Sequence, residues 1–119
     1  MTMAPEPAAP RWPQPGYEFP AKEFGPFDRA ALARYARVSF DDNPLHLDLE
    51  VARAAGLPDT PVHGMLMLSC FEPFIRGWRA GLFIERMSCK FLRPVFANEV
   101  ISVSGRVVRT REIPRRELI

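Results

Sequence analysis

The stretch MLMLSCFEPFIRGWR, residues 65–79, decides the fold that the sequence predicts. Its first seven residues carry one polar side chain, that of Ser69, so a helix here has no face for water and we expect it to be buried nearly all round. The stretch is far too short to span a bilayer. Because the ring of Pro73 clashes with the carbonyl of Ser69, the helix should kink or end at that point.

The sequence on either side of this helix has the pattern of β-strands. Residues 83–91 alternate between mostly apolar and mostly polar side chains, which is the period of a strand. Residues 100–108 predict the next antiparallel strand, and residues 17–24 predict a short edge strand because Pro20 is tolerated only at an edge. A buried helix with antiparallel strands indicates an α+β fold in which a sheet wraps around the helix.

Two shorter helices are predicted before the buried one. Asp28 is a suitable N-cap for a helix over roughly residues 28–37, whose apolar side chains recur at helical spacing. Pro44 biases the preceding residue toward an extended backbone, so this helix cannot continue through the loop that follows. Asp48 is placed to cap a second short helix, and Gly56 is placed to end it in a left-handed turn.

Length and composition limit the remaining possibilities. A chain of 119 residues is one small domain, here with a Pro-rich arm over residues 1–16 and the domain itself over residues 17–119. The net charge of +2 and the interleaved acidic residues disfavour nucleic-acid binding. No signal peptide or membrane span is apparent, so we expect a cytoplasmic protein. Cys70 and Cys89 lack disulfide or zinc spacing and are expected to be reduced core residues.

A polar loop, SFDDNPLHLD at residues 39–48, follows the first predicted helix. Asp, Asn and Pro are ordinary turn residues, which is one interpretation of Asp41, Asp42 and Asn43. The apolar residues that flank the loop favour a partly buried polar cluster instead. Carboxylate and imidazole side chains in such a cluster are the groups that acid and base catalysis uses.

Three segments carry a resemblance to a known family: YARVSFDDNPLHLDLEVA at 35–52, PVHGMLMLSCF at 61–71 and CKFLRPVFANEV at 89–100. Together they resemble the MaoC-like or hydratase-2 family of hot-dog-fold proteins, which are (R)-specific enoyl-thioester hydratases and 3-hydroxyacyl-thioester dehydratases. The resemblance covers roughly residues 17–110, and its D-x-N-P-x-H element is specific when H-G-M follows. It implies the hot-dog fold, with the buried helix as the central helix.

The resemblance also implies roles for individual residues. Asp41 and His46 act as a pair on one water molecule, and Asn43 supports the loop. The backbone N–H of Gly64, at the start of the buried helix, receives the charge that develops on the thioester oxygen. Four side chains are expected to line the substrate site: Phe40, His63, Met65 and Phe71. The substrate is a thioester of coenzyme A or of an acyl carrier protein, and the reaction needs no cofactor or metal.

Simpler interpretations stay open for some of these side chains. Asp41 and Asp42 are also compatible with a plain turn, and His46 with a hydrogen-bonded core histidine. For His63 the favoured interpretation is structural, as a residue that braces the turn of the oxyanion site. The histidines and carboxylates offer metal ligands, but their spacing matches no zinc pattern, so no metal is expected.

Two features depart from the family pattern. Phe40 stands where the family usually has glycine, directly before the first Asp. The family's sheet normally has two further strands after residue 109, whereas RRELI, residues 115–119, is at most the start of one. If the chain is complete, we therefore expect about two strands fewer than in the family and an exposed part of the central helix, unless a partner covers it. A homodimer is expected, or a heteromeric hot-dog partner.

Three functions are compatible with these observations. Hydration of an enoyl thioester, or the reverse dehydration, is favoured. A non-catalytic hot-dog subunit that binds acyl thioesters or completes a partner's fold comes second, because of the short C-terminus. A hot-dog thioesterase comes third, because hydrolysis does not call for the D-x-N-P-x-H arrangement.

Overall fold

The computed structural model describes residues 3, 4 and 13–111 of the chain. In chain order its elements are β1 (Glu18–Phe24), α1 (Arg29–Ser39), α2 (Pro44–Leu47), α3 (Leu49–Ala54), α4 (Gly64–Ser69), α5 (Phe71–Trp78) and β2 (Ile101–Arg106). Helices and a small antiparallel sheet make this an α+β chain, as the sequence predicts. Most of the predicted Pro-rich arm over residues 1–16, and the whole of RRELI, lie outside the described residues.

The chain forms two compact units. The larger one, residues 21–103, contains all five helices and every predicted site residue. The smaller one combines residues that precede Ala21 with residues that follow Val103. Within it, the N–H of Gly16 donates to the carbonyl of Val107 at 2.7 Å, and the N–H of Val107 donates to the carbonyl of Tyr17 at 2.8 Å. The predicted division into an arm and a single domain over residues 17–119 stays a prediction.

Two of the three predicted strands are present. The strands expected at residues 17–24 and 100–108 appear as β1 and β2, which pair with each other. The strand expected at residues 83–91 joins no sheet among the described residues, so that prediction is wrong. Alternation shows which face a strand would bury, but a strand also needs a neighbour that completes its hydrogen bonds.

Helix α1 begins where the sequence predicts. The side chain of Asp28 accepts a hydrogen bond from the N–H of Ala31 at 2.7 Å, which satisfies one of the free donors of the first turn. Leu32 and Ala36, four residues apart on one face, are buried. The helix runs two residues beyond the predicted end at 37 and stops at Ser39.

The short helices α2 and α3 both have side-chain caps. Asn43 has an extended backbone, as Pro44 requires, and its side chain accepts from the N–H of Leu45 at 3.0 Å. Helix α2 was not predicted; proline suits its first position because the N–H there needs no partner within the helix. Asp48 caps α3, and Gly56 follows with φ +87° in the left-handed region, which confirms both predictions.

The stretch over residues 65–79 forms two helices, α4 and α5, with Cys70 between them. The predicted break caused by Pro73 is therefore confirmed. It lies one turn before the proline, at Ser69 and Cys70, because the proline ring clashes with the backbone carbonyl four residues earlier. The prediction that this stretch is buried nearly all round is wrong for the described chain. No residue of α4 is buried, and the side chains of Met65 and Phe71 are 57% and 37% exposed. The reason is the sheet, whose two described strands are too few to enclose both helices.

The two cysteines lie in different surroundings. Both are free thiols, and Cys70 is buried as predicted, whereas Cys89 is exposed, so its assignment to the core is wrong. Cys89 belongs to the segment that forms no strand, and the cover that such a strand would have given it is missing. Over the described ranges, no helix has the length and apolar character to cross a membrane.

Candidate active site

The end of α1 leads directly into the polar loop. The hydroxyl of Ser39 donates to the carbonyl of Tyr35 at 2.7 Å and accepts from the N–H of Asp41 at 3.2 Å. Such local side-chain bonds are common where a helix stops. They tie the backbone of Asp41 to the last turn of the helix.

Phe40 occupies the left-handed turn between these two residues. Its backbone has φ +61° and ψ +13°, and its side chain is 89% exposed. For a residue with a Cβ this conformation costs about 1–2 kcal/mol, whereas glycine adopts it freely. The backbone thus explains why glycine is usual at this position, and the exposed ring explains how phenylalanine fits without disturbing the core.

Helix α2 positions His46. The Nδ1 atom of its half-buried ring lies 2.8 Å from the carbonyl oxygen of Pro61. Because a carbonyl oxygen only accepts, Nδ1 must carry the proton and donate it. In the neutral ring the lone pair is therefore on Nε2, which is the nitrogen left to exchange a proton with a ligand.

His63 lies underneath the loop and is 1% exposed. Its Nε2–H donates to the backbone carbonyl of Asp41 at 3.0 Å, while its buried Nδ1 has no hydrogen-bond partner among the residues that the structure describes. Burial, by removing water from the ring, lowers the pKa of His63 below its ordinary value, and the nearby charge of His46 lowers it further. The hydrogen bond to Asp41 and the charge of its carboxylate act in the opposite direction without reversing the shift.

The three groups form one cluster. The rings of His46 and His63 are stacked, with centroids 4.0 Å apart and planes at 21°, and the ring of Tyr35 meets His63 edge-on at 4.7 Å. A carboxylate oxygen of Asp41 and a nitrogen of each histidine all lie within 4.8 Å of one another. The structure therefore brings the predicted pair, Asp41 and His46, together, and leaves Asp42 outside the cluster.

Two histidines and an aspartate are also a possible metal-ligand set. A metal binds an imidazole in the plane of the ring, along the nitrogen lone pair. Stacked, nearly parallel rings direct their lone pairs side by side rather than toward one point. The arrangement fits proton transfer better than metal binding.

Gly64 opens helix α4 immediately after His63. A Cβ placed on it would lie 2.9 Å from Cζ of the Phe91 ring, closer than real contacts allow. A larger residue at this position would therefore make the half-exposed Phe91 ring move, whereas glycine lets it pack against the start of the helix. Gly64 also lines a cavity of about 310 Å³ together with Met67, Phe91 and Arg93. Its predicted role as an oxyanion donor is compatible with this position.

The remaining predicted substrate residues lie along the two exposed helices. Phe71 lines a cavity of about 330 Å³ with Ile84 and Met87, whose side chains give it an apolar wall. Met65 is exposed on α4.

The contacts of His63 with the predicted pair were not predicted from the sequence. The residue next to the glycine of the H-G-M element was expected to brace a turn or line the substrate site, whereas it contacts both members of the predicted pair. The available indication was its place in the proline-punctuated segment LPDTPVHG, directly before the predicted buried helix, because a buried histidine must find its partners inside the protein.

Comparison with known proteins gives consistent matches. The family model described as a MaoC like domain matches residues 13–118. The mitochondrial 3-hydroxyacyl-[acyl-carrier-protein] dehydratase of Arabidopsis thaliana is 34% identical over 93 residues, which are 78% of this chain and 56% of that protein. The (R)-specific enoyl-CoA hydratase of Aeromonas caviae is 33% identical over 89 residues, 72% of this chain and 66% of that one. The chain thus spans about half the length of the plant relative.

Solved structures agree with the sequence matches. The (R)-hydratase from A. caviae involved in PHA biosynthesis superimposes with a TM-score of 0.76 at 30% identity, covering 83% of this chain and 75% of that one. The ChsH1–ChsH2 complex from Mycobacterium tuberculosis gives a TM-score of 0.71 at 21% identity, covering 82% of this chain and 76% of that one, and shows a likeness of fold.

Proposed function

The chain belongs to the MaoC-like domain family, and we propose on that premise that it hydrates a trans-2-enoyl thioester to a 3-hydroxyacyl thioester or catalyses the reverse dehydration. The chain has the hot-dog fold, which its structural neighbours share. The enzyme class is that of the hydro-lyases, as the names of the relatives indicate. The observation that carries the proposal is the position of Asp41 and His46: a carboxylate oxygen of Asp41 and a ring nitrogen of His46 lie within 4.8 Å of each other.

The proposed reaction uses this pair on a single water molecule. Nε2 of His46, left with its lone pair by the bond from Nδ1 to Pro61, takes a proton from the water while Asp41 orients it. The oxygen adds to the β-carbon, and the double-bond electrons move toward the thioester carbonyl. The pair then returns a proton to the α-carbon, so one water is added and both side chains regain their starting states. Dehydration follows the same path backwards.

The negative charge on the thioester oxygen needs a donor during the reaction. In the proposal it is the N–H of Gly64, in the first turn of α4, where backbone donors lack partners within the helix. Asn43 holds α2 through its cap and thereby supports His46. Phe40, Met65 and Phe71 are proposed to contact the acyl thioester, since all three have exposed side chains.

A spectrophotometric assay tests the proposal against its alternatives. Hydration of a short trans-2-enoyl thioester of coenzyme A removes the conjugated absorbance without releasing a free thiol. A thioesterase releases the thiol, and a non-catalytic subunit leaves both signals unchanged. Loss of absorbance with no thiol supports the proposal, and either other outcome contradicts it.

Assembly is the second part of the proposal. We propose at least a homodimer, because the exposed apolar faces of α4 and α5 require cover. A heteromeric partner is the alternative, and the ChsH1–ChsH2 neighbour was solved as a complex. If the partner supplies the catalysis, this chain is the non-catalytic subunit. The thioester carrier, coenzyme A or acyl carrier protein, and a cytoplasmic location stay predictions; the Arabidopsis relative is named as mitochondrial.

A further inference from the structure

We infer that His63 is a positioning residue that holds Asp41 and His46 in register with each other. The inference rests on the proposed function for its catalytic meaning, while its structural basis is independent of any substrate. His63 contacts both members of the pair: it donates to the backbone of Asp41 and stacks on the ring of His46.

The contact with Asp41 fixes an otherwise exposed loop. Residues 40–44 are exposed, and Asp41 follows the left-handed turn at Phe40. From the α1 side, Asp41 is held by its N–H bond to Ser39. From below, its carbonyl accepts the Nε2–H of the fully buried His63 at 3.0 Å. Both the N–H and the carbonyl of Asp41 are therefore hydrogen-bonded, which limits the positions that its carboxylate can take.

The two groups that contact the ring of His46, the carbonyl of Pro61 and the ring of His63, belong to one short segment. Residues 60–63 are buried, and Val62 is fastened by its N–H to the carbonyl of Val95 at 2.7 Å. Within this segment the carbonyl of Pro61 selects the proton-bearing nitrogen of His46, and the His63 ring supports the face of that imidazole at 4.0 Å. The tautomer and the ring orientation of His46 are thus both set by the buried segment over residues 60–63.

The charges around His63 favour a neutral ring. The ionisable groups that face it are His46, Asp41 and the hydroxyl-bearing ring of Tyr35. Two protonated imidazoles stacked at 4.0 Å would repel each other, and burial penalises the charge on His63. A neutral His63 with its proton on Nε2 keeps its hydrogen bond to the backbone carbonyl of Asp41.

Nitrogen-15 NMR of the imidazole side chains tests the inference without any substrate. In the wild-type chain at neutral pH, His63 should be the Nε2–H tautomer and His46 the Nδ1–H tautomer. The opposite tautomer at either ring overturns the inference, whatever the activity proves to be. This measurement also separates the inference from the proposed function, because correct tautomers in a chain without hydratase activity would count against the function alone.

Two variants separate the two contacts. His63→Phe keeps a flat ring against His46 and loses the donor to Asp41, while His63→Gln keeps a donor and loses the stack. We expect each to lower kcat by roughly 10- to 100-fold with KM changed less than about threefold, since a small misplacement of reacting groups costs rate rather than binding. In the Gln variant the His46 nitrogen signals should broaden or shift toward a tautomer mixture.

The control is Asp42→Asn, in the same loop but outside the cluster, which should keep kcat within about twofold. If both His63 variants fold with wild-type kcat and unchanged His46 signals, the inference is wrong. If neither variant folds, the tautomers of the wild-type chain decide the question.

Discussion

The polar cluster beneath the loop and the apolar faces of α4 and α5 differ in how complete they are within one chain. In the cluster, both histidine rings bond to backbone carbonyls and stack on each other. On the apolar side, Met65 of α4 is 57% exposed, and Phe83 and Leu92, in the segment that follows α5, are 88% and 79% exposed. The polar contacts are thus completed within one stretch of chain, residues 35–63, whereas these apolar side chains stay exposed.

The largest effect should come from breaking the polar side. Asp41→Asn and His46→Gln should each lower the hydration rate by about a hundred- to ten-thousandfold, because each removes one member of a unit that acts on one water. The double variant should be scarcely slower than the slower single one. Rates of absorbance loss measure this, with thioester binding as the check on folding.

Asp42→Asn is the matched control for that prediction. It changes the adjacent carboxylate, which lies outside the cluster, and its cost should be limited to a small effect on the turn. Equal damage from Asp42→Asn and Asp41→Asn, or full activity in His46→Gln, contradicts the assignment of the pair.

The apolar side is tested through assembly. Phe83 lines a cavity with Glu72 and Ile75 of α5, so Phe83→Lys places a charge beside the face that we propose to be covered. The variant should weaken self-association by about ten- to a hundredfold, the value of one buried large side chain. Val38→Lys is the control, since Val38 is also exposed, at 76%, but lies on α1. Sedimentation velocity at micromolar concentration measures both. A monodisperse wild-type monomer with no partner contradicts the proposal.

The pH dependence of unfolding tests the burial of His63 in the polar cluster. The unfolded chain protonates His63 near pH 6.5, while burial lowers the pKa of His63 in the folded chain. Between these two values the unfolded state binds more protons, so stability falls as the pH drops below about 6.5 and is unaffected above it. The slope from this one group is at most about 1.4 kcal/mol per pH unit.

Urea unfolding at pH 7.5, 6.5 and 5.5 measures this dependence, and His63→Phe is the comparison because it removes the titrating ring. The wild type should lose more stability than the variant between pH 6.5 and 5.5. Equal losses of unfolding free energy in the wild type and the variant would mean that groups other than His63 carry the whole effect.

The smallest effect should come from Phe40→Gly. Glycine relieves the left-handed strain of about 1–2 kcal/mol but adds freedom to the unfolded chain, so the net gain in unfolding free energy should be below about 1 kcal/mol. Thermal unfolding measures it, and Val38→Gly, within helix α1, should instead destabilise. A loss of stability in Phe40→Gly would show that the ring makes contacts that outweigh the strain.

The features that the sequence predicts correctly are governed by neighbours along the chain. The caps at Asp28 and Asp48, the turn at Gly56 and the break before Pro73 each depend on a few adjacent residues. The D-x-N-P-x-H loop was located for the same reason. Contacts across the chain escaped prediction: the pairing of residues 83–91, the cover of α4, and the position of His63 between two groups 17 and 22 residues away.

The contrasting surroundings of the two thiols have a practical consequence. Burial raises the pKa of the Cys70 thiol and makes it a poor nucleophile, while Cys89 is exposed at the rim of the apolar cavity beside Phe71. A maleimide fluorophore should therefore label Cys89 selectively without any engineered mutation. Its emission would report when that cavity is filled, whether by an acyl chain or by another polypeptide, and so gives a direct optical titration of whatever covers this surface.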